Sequence, residues 1–198
     1  MTRLSREDSR SITQEKLRTA ALQEFARWGF GGAAIDKITE SAGFSRGAFY
    51  ANYKSKEDIL IDVLKAYNNR EIQEWRQFLA MPEDIETVLN YMRESFARYL
   101  GQADWGMFVI EAQLHAKRNK DFAAKYRGYL NEVNESVRLM LSALYSRAGV
   151  AEPPNFGELA VLLRALVVGL SLDVGDDSDS SNAPDQLMYF LKTILHQA

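Results

Sequence analysis

The polar side chains between residues 45 and 54 have the chemistry needed to bind a nucleic acid. Arg46 can donate two parallel hydrogen bonds to the edge of a guanine base. The hydroxyls of Tyr50 and Tyr53 and the ammonium group of Lys54 can bind phosphate oxygens, which position a protein on a duplex without reading its sequence. The residue types in this segment therefore predict contacts with DNA.

Two short helices and a tight turn are predicted to hold these side chains. The earlier of these two helices covers about 34–41. It has apolar residues at the i, i+3, i+7 spacing of one face, namely Ile35, Ile38 and Ala42. Gly43 stands where a chain leaving a helix adopts a left-handed conformation. Ser45 can cap the next helix, about 45–51. This pattern is typical of a helix-turn-helix unit, whose second helix can enter the major groove.

An earlier helix over about 12–28 is predicted to complete the core of this N-terminal head. Ser11 and Gln14 could form a capping box at its start, and Gly29 would end it. Its apolar stripe, which we expect to be buried, consists of Leu17, Ala21, Phe25 and Trp28.

The first ten residues are polar and contain Arg3, Arg6 and Arg10. They could form a frayed tail, which is the reading we favour for Arg3. They could also form an arm that follows the DNA phosphates or enters the minor groove. The sequence leaves both readings open.

The segment 35–56 resembles the DNA-binding domain of the TetR family of bacterial transcriptional regulators. The resemblance is carried mainly by the run AGFSRGAFYANYKSKEDIL, residues 42–60, together with Phe25, the Gly29-Phe30 pair, Ile35 and Ile38. It implies a DNA-contacting set of Thr39, Ser45, Arg46, Gly47, Tyr50, Tyr53 and Lys54. Tyr53 could equally serve the core of the head. Ala33 stands where the family often has a threonine that touches phosphate, so no phosphate contact is assigned there.

The rest of the chain is predicted to be helical, which makes the fold class all-α with about nine helices. A long fourth helix would join the three-helix head, residues 1–56, to an effector-binding and dimerisation bundle, residues 57–198. A Ser-rich acidic stretch at 175–185 is predicted to be a mobile loop. The further helices are expected at about 55–79, 84–100, 104–117, 120–148, 156–174 and 185–196.

Aromatic and soft side chains from three neighbouring helices of the bundle could line a pocket between helices. Each of them alone is better explained as core packing, but the set and the family resemblance favour a small apolar or aromatic effector. The apolar candidates are Met92, Phe96, Trp105, Phe108, Tyr126 and Tyr129, with Glu111 and His115 as polar contacts.

Metal and enzyme chemistry find little support in the sequence. Glu111 and His115 lie four residues apart, as metal ligands on a helix can, but two such residues do not make a zinc site. The chain has no cysteine and two histidines. The segment 169–173, GLSLD, lacks the last glycine of a nucleophile elbow. We therefore expect no cofactor and no enzyme, and we keep two alternatives: an all-helical binding protein or enzyme with a vestigial helix-turn-helix, and a regulator without a small ligand.

The two C-terminal helices carry more apolar surface than one small bundle can cover. Members of the TetR family pair these helices with their copies, so the resemblance implies a homodimer that reads a palindromic operator on double-stranded DNA. The expected interface residues are Leu159, Leu162, Leu163, Leu166, Leu170, Leu187, Phe190, Leu191 and Ile194.

Composition agrees with an intracellular DNA-binding protein. The net charge is −3, but residues 1–58 carry 10 basic against 8 acidic side chains, so the head is mildly basic and the remainder acidic. No run of 18 apolar residues exists, and residues 1–10 lack the apolar core of a signal peptide. We expect a cytoplasmic protein without a membrane partner.

Overall fold

The computed structural model describes residues 5–173 and 182–196, and these residues form helices and connecting turns without a strand. The all-α class and the predicted number of helices are confirmed. The part of the predicted mobile loop at 175–181 lies outside the described residues, and so does Arg3. The helices are α1 Arg6–Gly32, α2 Ile35–Ala42, α3 Arg46–Asn52, α4 Lys56–Leu79, α5 Ile85–Leu100, α6 Ala103–Arg118, α7 Lys120–Ala148, α8 Phe156–Asp173 and α9 Ala183–His196.

The chain packs as two compact units. The first contains the described residues up to Tyr67 together with Met107–Tyr129, and the second contains Asn68–Gly106 and the described residues from Leu130 onward. Helices α4, α6 and α7 each contribute residues to both units. The predicted domain boundary after residue 56 stays a prediction. In the structure, parts of α4, α6 and α7 pack in the same unit as the three N-terminal helices. We call the first unit the head unit and the second the body unit.

Helix α1 begins six residues earlier than predicted. Ser5 is its N-cap: the Ser5 Oγ accepts from the Asp8 amide at 3.0 Å, and the Asp8 carboxylate accepts from the Ser5 amide at 3.1 Å. These bonds to Ser5 lower the pKa of Asp8. This capping box replaces the one predicted at Ser11. Arg6 and Arg10 are therefore helical, and the frayed-tail reading is wrong for them.

The core of the head unit is built on fully buried side chains, among them Leu17, Phe25, Ile38 and Phe49. The prediction that Trp28 joins this core is wrong, because its side chain is 56% exposed. Gly29 breaks the helix directly after it, with φ 68°. The residue that turns inward is instead Phe30, whose ring stacks on Phe25 at a centroid distance of 5.6 Å.

The body unit has a separate core in which α5, α7, α8 and α9 interlock. Its buried members include Val88, Met92, Leu141, Leu144, Leu163, Leu187 and Leu191. Arg147 of α7 closes the connection between α4 and α5, because its guanidinium donates to the carbonyls of Leu79, Met81 and Glu83. Within the described ranges, no helix combines the length and the apolarity needed to cross a bilayer.

Candidate nucleic-acid interface

The α2–turn–α3 unit forms for the local reasons expected from the sequence. Gly43 takes the left-handed conformation, with φ 73° and ψ 32°, and this reverses the chain after α2. The Phe44 amide then bonds back to the Thr39 carbonyl at 2.8 Å. Ser45 caps α3, since its Oγ accepts from the Ala48 amide at 3.2 Å.

The outward face of α3 carries the residues predicted to read DNA. Ser45, Arg46, Gly47 and Tyr50 are all exposed, whereas Phe49 is completely buried on the opposite side. A Cβ added at Gly47 would meet only the Ser45 Oγ, at 3.6 Å, which is an ordinary contact. The fold itself therefore does not require a glycine at position 47.

Arg46 is held in place by neighbours that a ligand could replace. Its guanidinium lies 3.2 Å and 3.3 Å from the two carboxylate oxygens of Asp36, and 3.5 Å from the Tyr50 hydroxyl. The Tyr50 hydroxyl and the Asp36 charge raise the pKa of Arg46, so the guanidinium stays charged. Both members of the ion pair are largely exposed, at 60% and 67%. Exposed pairs contribute little, so Arg46 can exchange Asp36 for a base or a phosphate.

Two residues of the predicted DNA-contacting set, Thr39 and Tyr53, have side chains that are committed to the interior of the head unit. Thr39 is 3% exposed, and its hydroxyl donates to the Asp36 carbonyl at 3.0 Å. Tyr53 is 6% exposed, and its hydroxyl donates to the Asp62 carboxylate at 2.6 Å. Burial and this carboxylate raise the pKa of Tyr53.

The two lysines after α3 have different surroundings. Lys54 is exposed and has no ion pair among the residues that the structure describes. Lys56 instead donates to the carbonyls of Phe30 and Ala33, at 2.7 Å each, and burial lowers its pKa. Only Lys54 keeps the role expected of a phosphate contact.

An open groove of about 790 Å³ lies beside the end of α3, and its lining includes Lys54 and Gln14 of α1. Arg10 lies one turn before Gln14 on the same helix, and Arg6 one turn before that. Neither arginine has an ion pair among the described residues. Sequence reasoning missed this extension, since it placed the start of α1 after both arginines.

The apolar effector candidates belong to two different units. Met92, Phe96 and Trp105 are in the body unit, where Met92 is fully buried in the core and Phe96 packs against it. Phe108, Tyr126 and Tyr129 are buried in the head unit, and the Phe108 ring lies 5.9 Å from that of Phe25. Each of these side chains thus has a packing role within its own unit.

The two polar effector candidates, Glu111 and His115, both contact Phe30 at the end of α1. The Glu111 Oε2 accepts from the Phe30 amide at 2.9 Å, and the His115 ring stacks on the Phe30 ring at 3.7 Å. The His115 Nε2 lies 3.4 Å from the Glu57 Oε1. Among the described residues no group of three or more His, Cys, Asp or Glu side chains could hold a metal ion.

The predicted dimer surface needs correction, because much of it is buried inside the body unit. Of the nine residues, only Leu162 is largely exposed, at 61%. The remainder pack into or against the unit's own core: Leu163, Leu170, Leu187 and Leu191 are buried, and Leu159, Leu166, Phe190 and Ile194 are partly buried. The opposite face of α8 is exposed and carries the apolar side chains of Val161, Leu162, Ala165 and Leu172 together with Glu158, and α9 adds Tyr189.

The head matches a known regulator family. Residues 17–63 match the family model described as bacterial regulatory proteins of the tetR family. The chain is 24% identical over 135 residues to the HTH-type transcriptional repressor AcnR of Corynebacterium glutamicum, an alignment that covers 68% of this chain and 67% of AcnR. It is 35% identical over 158 residues to the HTH-type transcriptional regulator YerO of Bacillus subtilis, covering 78% of this chain and 53% of YerO. The chain thus spans about half the length of YerO.

The whole fold also has a solved counterpart. The transcriptional regulator FadR from Bacillus subtilis, crystallised with stearoyl-CoA, superposes with a TM-score of 0.70 at 17% identity, covering 92% of this chain and 95% of FadR. An exposed second helix, in a helix-turn-helix unit that matches this family model, is the arrangement of a DNA-binding transcriptional regulator. Residues 17–63 therefore form a DNA-binding domain of the type found in the tetR family of bacterial regulatory proteins.

Proposed function

We propose that the protein is a homodimeric repressor that binds a palindromic operator and is released from it by a small effector. The observation that carries this proposal is the exposed face of α3. Arg46, Gly47 and Tyr50 are exposed there, while Phe49 of the same helix is buried in the core. Ser45 and Lys54 flank them and supply phosphate contacts. Arg46 is the residue assigned to a base edge.

The α1 extension adds phosphate contacts to this interface. Arg6, Arg10 and Gln14 are spaced four residues apart and so lie on one side of α1. Gln14 lines the same groove as Lys54. Two further cations on that side would strengthen binding to any duplex and steepen its dependence on salt, without selecting a sequence.

A second copy of the chain is the occupant proposed for the exposed face of α8. This face collects Val161, Leu162, Ala165 and Leu172 within about 100° of the helix circumference, at 100° per residue. Tyr189 of α9, 76% exposed, adds an aromatic side chain of the type favoured at interfaces. A twofold dimer places two recognition helices about 34 Å apart, one turn of DNA.

The effector is proposed to be a small apolar or aromatic molecule that binds the body unit. FadR, which has the same fold, was crystallised with stearoyl-CoA. In this chain, Met92, Phe96 and Trp105 are the body-unit side chains offered for such a ligand. An effector that prefers one conformation of the regulator shifts the population toward it, and with it the fraction bound to DNA. This role places the protein beside the chromosome in the cytoplasm.

Selection of bound fragments from the genomic DNA of the source organism tests the proposal. Purified protein is mixed with sheared DNA, retained fragments are sequenced, and the enriched motif is compared with that of a mock selection. Enrichment of one inverted repeat is the expected result. Retention of fragments without a shared motif would contradict an operator-specific repressor. Compounds are then screened for release of the selected fragment, which identifies the effector.

A further inference from the structure

The segment from Gly29 to Ala33, at the end of α1, is fastened by a carboxylate that lies 81 residues after Phe30. Gly29 has non-helical angles, φ 68° and ψ 169°, so the regular hydrogen bonding of α1 is interrupted at the next residue. The Phe30 amide turns instead to the Glu111 Oε2 of α6, at 2.9 Å. A buried amide without a partner is costly, so this carboxylate matters to the conformation of the segment.

Other contacts converge on the same residue. Lys56 donates to the Phe30 carbonyl at 2.7 Å, and its Nζ lies 4.6 Å from the centre of the Phe30 ring. His115, one turn after Glu111 on α6, covers the ring at 3.7 Å. Glu111 also fills the space beside Gly29, since a Cβ added there would lie 2.9 Å from its Oε2. Phe30 is thus held through its amide, its carbonyl and its ring.

The fastened segment leads directly into α2, whose Asp36 pairs with the Arg46 guanidinium. Ala33 ends the turn after Gly29, and α2 starts at Ile35 and presents Asp36 to the guanidinium. Helix α6 therefore contacts the chain directly before the helix-turn-helix unit formed by α2 and α3. The same helix begins in the body unit, where Ala103–Gly106 are placed.

We propose that Glu111 is a positioning residue for operator binding. Its carboxylate holds the segment from Gly29 to Ala33, and thereby α2 and α3, in the arrangement that binds DNA. This inference rests on the proposed function, because it concerns the conformation in which the same regulator binds its operator.

Three variants of α6 separate the inference from a general loss of structure. Glu111→Ala removes the acceptor, Glu111→Gln keeps an oxygen that can accept from the Phe30 amide, and Gln113→Ala alters an exposed residue of the same helix. Binding to the selected operator is measured by fluorescence anisotropy, and folding by thermal unfolding. We expect Glu111→Ala to weaken operator binding about tenfold or more, the effect of losing one hydrogen bond to a charged group. Glu111→Gln should stay within about threefold of the wild type, and Gln113→Ala should be unchanged.

A second readout reports on position rather than on stability. The chain contains no cysteine, so Gln23→Cys, an exposed site on α1, places one spin label on each head of the dimer. The distance distribution between labels, measured by pulsed electron paramagnetic resonance without DNA, should broaden in Glu111→Ala and stay narrow in Glu111→Gln. Unchanged distances and affinity in a folded Glu111→Ala protein would overturn the inference, and so would equal damage in Glu111→Gln. A wild type that selects no operator, or forms no dimer, would instead contradict the proposed function.

Discussion

The Arg46 guanidinium of α3 lies 3.2 Å from the Asp36 carboxylate of α2, so each helix of the helix-turn-helix unit contributes one member of this ion pair. In the free protein this contact orients Arg46, but it also places a negative charge where phosphates would come. We expect Asp36→Asn to tighten DNA binding about three- to tenfold at low salt, and less at high salt, where charges are screened.

Titration of operator and non-operator duplexes at two salt concentrations checks this expectation. Asp121→Asn, which neutralises an exposed carboxylate of α7, serves as the control and should leave both affinities unchanged. Weaker operator binding by Asp36→Asn would mean that orienting Arg46 outweighs the repulsion between Asp36 and the phosphates.

Gly47 offers a test that separates contact with DNA from stability. Because an added Cβ has room in the free protein, Gly47→Ala should stabilise α3 by up to about 1 kcal/mol. It should nevertheless weaken operator binding about tenfold, since the methyl group separates the helix from the DNA backbone. Differential scanning calorimetry and anisotropy measure the two effects.

Gly157→Ala is the matched control for Gly47. Gly157 is likewise the second residue of its helix, α8, and a Cβ there meets nothing within 4 Å. A similar gain in stability with unchanged DNA binding is expected. If Gly47→Ala binds the operator as tightly as the wild type, α3 does not approach DNA through this residue.

The exposed face of α8 predicts the effect of a charge placed on it. Leu162→Asp should raise the dimer dissociation constant at least about 100-fold, because a carboxylate would be buried without a partner in the interface. Sedimentation equilibrium measures the constant. Leu139→Asp changes another exposed leucine, 44% exposed on α7, and should leave the dimer intact. A dimer unaffected by Leu162→Asp would place the interface elsewhere.

Glu71 predicts a pH dependence of stability in the body unit. Burial and the charge of Glu74 raise the pKa of Glu71 above its usual value. A carboxyl group with a raised pKa in the folded state favours folding when protonated, and this contribution is lost as the pH rises through that raised pKa. Glu71→Gln should therefore raise the melting temperature at pH 7 by about 1–3 °C.

The same comparison at low pH supplies the check on Glu71. Below about pH 4, where the carboxyl is protonated in both states, the difference between Glu71→Gln and the wild type should vanish. Glu94→Gln, an exposed glutamate on α5, should show no such pattern. A Glu71→Gln protein that melts lower at pH 7 than the wild type would show that the ionised carboxylate is stabilising.

What the sequence could predict depended on how local the interactions are. The turn at Gly43, the cap at Ser45 and the outward direction of Arg46 follow from neighbours within a few residues, and all are confirmed. The burial of Tyr53 could not be predicted in the same way, because its hydrogen-bond partner, Asp62, lies across a helix boundary. The bond between Glu111 and Phe30 spans 81 residues and has no signal in the sequence.

The orientation of α8 could not be predicted for a different reason. Its side chains are apolar nearly all round, so hydrophobic periodicity does not distinguish the side facing its own core from the side left exposed. Leu163 and Leu170 lie on the buried side, whereas Leu162 and Leu172 lie on the exposed one. Only the packing against α9 and the neighbouring helices of the unit decides between them.

Whether the face of α3 around Arg46 reads operator DNA is decided by one comparison of affinities. Anisotropy is measured with the selected operator and with a scrambled duplex of equal length, for the wild type, Arg46→Ala and Arg127→Ala, an exposed arginine of α7. We predict that Arg46→Ala loses about 1–3 kcal/mol of discrimination between the two duplexes while Arg127→Ala keeps it. An Arg46→Ala protein that still prefers the operator as strongly as the wild type would contradict a role of this face in reading operator DNA.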